Sequence, residues 1–160
     1  MKFTCSTTSL NKAIQTVQRA ISSKPTAPIF SGIHIIAAEN ILYVQAMDLN
    51  MAISCTVESN TEANGEIVVS AKHFSELMRK LPGETVTIIK NKEEKTINVQ
   101  SDKSDFQLLL MNEDDYPKFP EFNADKQIVL EDEKIKDLIK KTIFACSTDE
   151  ARPLFTGILV

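Results

Sequence analysis

The feature that most constrains this chain is a stretch it contains twice. Pro28-Ile29-Phe30-Ser31-Gly32-Ile33 returns as Pro153-Leu154-Phe155-Thr156-Gly157-Ile158, an offset of 125 positions. The register holds without a gap backwards along the chain, pairing Lys2 to Ile35 with Gln127 to Val160. Along it Leu10 meets Ile135, Ile14 meets Ile139 and Ala20 meets Ala145. A period this long belongs to an array of domains, since solenoid repeats run roughly 20–50 residues. The expected organisation is a first domain over 1–110, a linker over 111–126 and the opening of a second copy over 127–160.

Hydrophobic periodicity supplies the elements within the first domain. Residues 2–6 read as a strand, with Thr8 or Ser9 offering a helix N-cap. Apolar residues at 10, 13, 14, 17, 20 and 21 then keep helical spacing until Ser22-Ser23-Lys24-Pro25 stops them. Strands follow over 28–37, 41–46 and 51–57, with a turn at Glu39-Asn40 and a polar loop over 60–65. The plan then repeats as a strand at 66–70, a helix at 71–81, a hairpin of 85–90 with 96–100, and a last strand at 105–110. Two successive βαβββ halves of this kind imply an α+β fold of antiparallel sheets, with two helices packed on one face. The Pro-rich acidic stretch after 110 reads as the linker, with Tyr116, Phe119 and Phe122 docking it on a surface.

Several function classes are excluded early. No apolar run approaches the ~20 residues of a membrane span, and Met1-Lys2-Phe3-Thr4 enters a strand with no signal-peptide core. Cys5, Cys55 and Cys146 are scattered, so neither zinc nor a disulfide framework is suggested and a reduced, cytoplasmic setting is expected. The chain has no Gly-rich phosphate loop, nucleophile elbow or paired histidines. His34 and His73 read as structural. The expectation is a protein without catalytic activity, metal or cofactor.

Charge is distributed unevenly. The expected helices 9–24, 71–81 and 134–146 carry ten basic residues and two acids. That net of +8 in a chain of net charge −4 leaves −12 for everything else. At 100° per residue, Lys12 and Arg19 fall within about 20° of each other and opposite the apolar stripe, as do Lys72 and Arg79. Lys24, Lys80, Lys136 and Lys140 extend the same basic faces. Phe144 lies on the polar side of the third helix, so that helix is expected to end or bend before it. Acidic strands and basic helices put positive field on one side only, which suits a polyanion. There is no Trp, and no aromatic residues interleave with the cations, so contact would be with phosphates rather than bases. The competing reading is a protein-interaction module whose basic helix faces are merely solvated.

An ordered set of short motifs then resembles one family. Met1-Lys2-Phe3, Lys24-Pro25-x-x-Pro28-Ile29, Asp48-Leu49-x-Met51, Lys80-Leu81-Pro82 and Asp115-Tyr116-Pro117 resemble the β subunit of bacterial DNA polymerase III, the sliding clamp. Arg152-Pro153-Leu154-x-Thr156-Gly157 is similar to the opening of that family's second domain. The resemblance implies a DNA-clamp fold of three like domains, two subunits closing head to tail into a ring around duplex DNA. It implies a tether for the replicative polymerase, opened and closed by a clamp loader. It places Phe74, Leu77, Phe106 and Leu108 on the first-domain side of the dimer interface. It places Arg152, Leu154 and Phe155 at the near edge of a pocket for partner peptides bearing a clamp-binding motif. Lys24 matches a DNA-contacting position, and the acids of Thr148-Asp149-Glu150 depart from the family's polar loop there.

Overall fold

The computed structural model describes residues 1–22, 24–91, 93–120, 129–149 and 151–159. The chain divides into two compact units, Met1–Pro120 and Glu121–Val160.

Unit 1 runs in chain order through β1 (Lys2–Ser6), α1 (Thr7–Val17), β2 (Gly32–Ala38), β3 (Ile41–Met47) and β4 (Ala52–Ala63). It continues through β5 (Gly65–Ser70), α2 (Ala71–Lys80), β6 (Thr85–Asn91), β7 (Thr96–Ser101) and β8 (Ser104–Met111). The two βαβββ halves are therefore present. The strands are antiparallel and close into a ring in the order β1-β4-β3-β2-β5-β8-β7-β6, a closure that the sequence pattern does not carry. Inward positions of the strands and the apolar faces of both helices meet in one core. It holds Phe3, Ile33, Ile35, Leu42, Val44, Ile67, Val86, Ile88, Ile97 and Val99 with Leu10, Ile14 and Val17 of α1 and Phe74 and Met78 of α2. Each such large side chain contributes about 1.5–3 kcal/mol on burial.

Local chemistry sets the element ends. Helix α1 begins earlier than the sequence suggests, because Ser6 is its N-cap and its Oγ accepts from the Ser9 amide at 3.3 Å. The Thr7 amide, one of the unpaired donors of the first turn, donates to the Glu84 carbonyl at 2.9 Å. Glu39 and Asn40 both take positive φ (51° and 65°), as a two-residue hairpin turn requires. The expected loop over 60–65 is instead mostly strand, since β4 runs to Ala63. Its first part, 52–58, pairs with β3, and 59–63 pairs with β1. This strand joins two sheets, and its polarity reflects a solvent face rather than a loop.

Gly32, in the duplicated hexapeptide, opens β2 at a close approach. A Cβ there would lie 2.7 Å from Val68 Cγ1 and 3.0 Å from both the Ile29 carbonyl oxygen and Met111 Sδ. The residues after β8, read as a linker docked through Tyr116, stay against unit 1. They form a 3₁₀ turn at Glu113–Asp115, after which Tyr116 is buried. Phe122 lies outside the described residues.

Unit 2 contains α3 (Asp132–Thr142), a 3₁₀ turn at Ile143–Ala145 and another at Pro153–Phe155. Both ends of α3 stand 125 positions after those of α1. The turn at Ile143–Ala145 likewise follows Gln18–Ala20 by 125, and Pro153 follows the Pro28 that opens the turn Pro28–Ser31. Of the end or bend expected before Phe144, the helix shows an end, at Thr142. Val129–Glu131 and Gly157–Leu159, expected as strand, form no ladder, and Gln127, Ile128 and Val160 lie outside the described residues.

Two outcomes are expected. Gly32→Ala should destabilise unit 1 by about 1–3 kcal/mol through overpacking against backbone and core; an unchanged urea midpoint would remove this account of the glycine. Burial pushes the Cys5 thiol up from 9.0 to about 12 and the Tyr116 phenol up from 10.0 to about 12, the latter against a smaller opposing effect of the Met47 backbone. The folded chain thus keeps protons that the unfolded chain releases from about pH 9 upward, so stability is full below pH 9 and falls towards pH 12. Denaturation midpoints across that range should decline, and Tyr116→Phe should lessen the decline that begins near pH 10. A flat profile for the wild type would contradict the burial of both groups.

Candidate nucleic-acid interface

Helices α1 and α2 lie side by side and antiparallel. Near the C-terminal end of α1, Gln18 Nε2 donates to the Ala71 carbonyl at 3.2 Å and to Ser75 Oγ at 2.9 Å, both at the N-terminal end of α2. At the other end, Thr7, Thr8 and Asn11 line a hollow of about 340 Å³ with Met78 and Arg79. The apolar stripes of both helices are committed to the core, so the remaining faces point away from it.

Those faces carry the cations. Lys12 on α1, Arg19 in the 3₁₀ turn that follows, and Lys24 beyond it are all exposed. Lys72, Arg79 and Lys80 are exposed on α2. Among the described residues none of these six forms an ion pair; the pairs of unit 1 are Lys2–Glu62, His34–Glu66 and Lys90–Glu113. Arg79 and Lys80 also fall in the last turn of α2, where the helix dipole favours positive charge. Lys12, Lys72, Arg79 and Lys80 therefore stand on one helix pair, with Arg19 and Lys24 following α1, free to meet an external anion. Glu76 is the acid interspersed on α2.

In unit 2, Lys136 and Lys140 are exposed on α3. That helix begins at Asp132, so Asp132 and Glu133 fall inside its first turn, and Lys141 pairs with Asp137 at 2.7 Å. Its basic excess is accordingly smaller than the sequence count implied. Asp149 is exposed, and Glu150 lies outside the described residues.

The expected interface residues separate. Phe74 is fully buried in the core, which corrects its assignment to a surface. That assignment came from the resemblance; the α2 stripe itself turned Phe74 inward, and the core holds it. Leu77 and Leu108 are half-buried against that core. Phe106 is 41% exposed, and Leu109, assigned no role in the sequence, is 77% exposed. Strand β8 pairs with β7 over 104–109, but with β5 only at Leu110 and Met111. Its β5-side edge over 104–109 therefore has no ladder partner among the described residues. Strand β4 repeats this arrangement, being paired over 52–58 with β3 alone. A cleft of about 830 Å³ runs along that edge between α1 and β4, with Lys12, Cys55 and Ser59 in its lining. Reading 60–65 as loop hid this second edge. Arg152, Leu154 and Phe155 fall on or beside one 3₁₀ turn of unit 2, all exposed.

Residues 1–120 match the family model described as DNA polymerase III beta subunit, N-terminal domain. The chain is 34% identical over 166 residues to the beta sliding clamp of Bacillus subtilis, covering 99% of this chain and 44% of that protein. The crystal structure of the DNA polymerase sliding clamp from Bacillus subtilis is similar with a TM-score of 0.90 at 33% identity, over 96% of this chain and 42% of that one. A putative DNA polymerase III beta subunit from Eubacterium rectale is similar with a TM-score of 0.92 at 30% identity, over 98% of this chain and 43% of that one. The chain thus spans less than half the length of these relatives. Carrying the clamp fold, with the family model matched over all of unit 1, the chain belongs to the DNA polymerase III beta-subunit family.

Proposed function

We propose that the whole protein is a non-catalytic sliding clamp, a ring-shaped homodimer that encircles duplex DNA in the cytoplasm and tethers the replicative polymerase. The observation that carries this reading is the exposure, with no ion pair among the described residues, of Lys12, Arg19, Lys24, Lys72, Arg79 and Lys80 on and after two helices whose apolar faces are locked into a core. Lys136 and Lys140 are the DNA-facing cations of unit 2 in this proposal, which reads 127–160 as the opening of the second domain. Each cation meets phosphate loosely. Attraction is about 1 kcal/mol per close pair at water-like screening and fades within a Debye length of about 8 Å. Contacts of that size suit sliding, because no single phosphate is held long and no base is read.

The half-open edge of β8 supports the ring reading, since an unpaired edge is a template for another sheet. Phe106, Leu77 and Leu108 belong to the dimer side in this proposal, and Phe74 does not. Arg152, Leu154 and Phe155 receive partner peptides, from the polymerase, the clamp loader and other proteins bearing a clamp-binding motif.

Two experiments on the whole protein test the reading. Removing Lys12 and Arg19 together, or Lys24 alone, should slow loading onto primed DNA about fivefold per cation at low salt. The effect should shrink at high salt, with thermal stability within about 0.5 kcal/mol of wild type. Equal loading at both salt concentrations would favour the interaction module with solvated basic faces. Phe106→Ala should weaken the dimer in sedimentation while unit 1 melts normally; an unchanged dimer would remove β8 from the ring interface.

A further inference from the structure

The outer face of β2, β3 and β5 carries an apolar patch that the chain covers with its own side chain. Ile67 and Val69 point into the main core, so Val68 between them points outward, yet it is fully buried. Tyr116 covers it. The phenol ring shares a small cluster with Met47 and Val68, flanked by Ile29, Phe30, Ala52 and Met111. The His34 ring lies 5.0 Å from the Tyr116 ring. Three residues earlier, Glu113 pairs with Lys90 Nζ at 2.6 Å, and the same ammonium donates to the Glu66 carbonyl at 3.0 Å.

Residues 112–120 are held by these side chains and by no strand pairing, their one regular element being the turn Glu113–Asp115. The seat is also imperfect. Tyr116 is 8% exposed, and its buried hydroxyl is met only by the Met47 backbone, outside good hydrogen-bond geometry, so release lets that group regain water. Beside the cluster, the loop between β3 and β4 is fixed by Asp48 Oδ1, which accepts from the Asn50 and Met51 amides at 2.8 Å. It presents Leu49 and Met51, 71% and 51% exposed, to solvent.

We propose that this surface is a cryptic peptide-docking site held closed in cis by Tyr116, and that a partner segment with an acid three residues before an aromatic takes the strap's place. The recognition chemistry is that of the occupant itself. A carboxylate meets Lys90 and an aromatic ring fills the seat formed by Met47, Val68 and His34. The strap is then a competitor for that seat, and binding waits on its lifting. This proposal goes beyond the ring reading and uses none of the DNA-facing residues.

The test uses the intact chain and a fluorescent synthetic peptide of residues 112–120, followed by anisotropy. Tyr116→Ala should bind the peptide at least tenfold more tightly than wild type, and a peptide with alanine in place of its tyrosine should not bind. Glu113→Gln, which loosens the strap without emptying the core, should raise hydrogen exchange over 112–120 and also strengthen peptide binding. This second variant decides the matter if Tyr116→Ala does not fold. A second peptide, keeping only the acid and the aromatic at that spacing in an otherwise scrambled sequence, should bind comparably. No binding to either variant, or binding of the native strap peptide alone, overturns the docking site. Failure of ring closure or DNA loading would not change these readouts, which report on unit 1.

Discussion

The structure depends first on the burial of one face of α1. Leu10, Ile14 and Val17 are fully buried, and each contributes about 1.5–3 kcal/mol. A cation on the opposite face gains only about 1 kcal/mol from a phosphate near water. Apolar burial therefore decides which way the helix faces, and the cations take the side that remains. Helix α2 repeats the arrangement through Phe74 and Met78, and the antiparallel contact at Gln18 brings the two basic faces together. The electrostatic surface is a consequence of core packing, which is why neutralising it should leave the fold nearly untouched.

The same duplication explains the edges. Each βαβββ half ends in a strand that pairs on one side for most of its length and crosses to the other side only at its end. The ring of strands within unit 1 is closed at β1–β4 and β5–β8, but each closure leaves a stretch of backbone without a partner strand. Two such edges, one per half, are what a module needs if it is to continue into neighbours at both sides. In the proposed ring, β8 meets the other subunit.

Much of this was legible in the residues because it rests on local pattern. The 125-residue register was visible as matched side chains, and α1 and α3 keep it at both ends. The stripe positions of α1 were readable for the same reason, since helical spacing is a property of neighbours in sequence. What was hidden depends on distant pairing. The end of β4, read as loop over 60–65, is strand whose polar residues face solvent across a junction of two sheets. Phe74 was placed at the interface by the resemblance alone, although the α2 stripe already turned it towards the sheet, where it is fully buried. Tyr116 was expected to dock, but its seat between Met47 and Val68 is built by three separate segments, and no spacing in the chain connects them.

In the proposed ring, loose phosphate contacts on a basic helix face act together by enclosing the duplex rather than by gripping it. Retention of the whole protein on primed circular DNA, before and after the circle is cut open, tests this directly. Enclosure predicts that the loaded protein stays on the closed circle through a salt wash and is lost once linear ends are available, because screened contacts of about 1 kcal/mol cannot hold it alone. Equal retention on closed and linear DNA, falling with salt in the same way on both, would show binding by affinity and contradict the account.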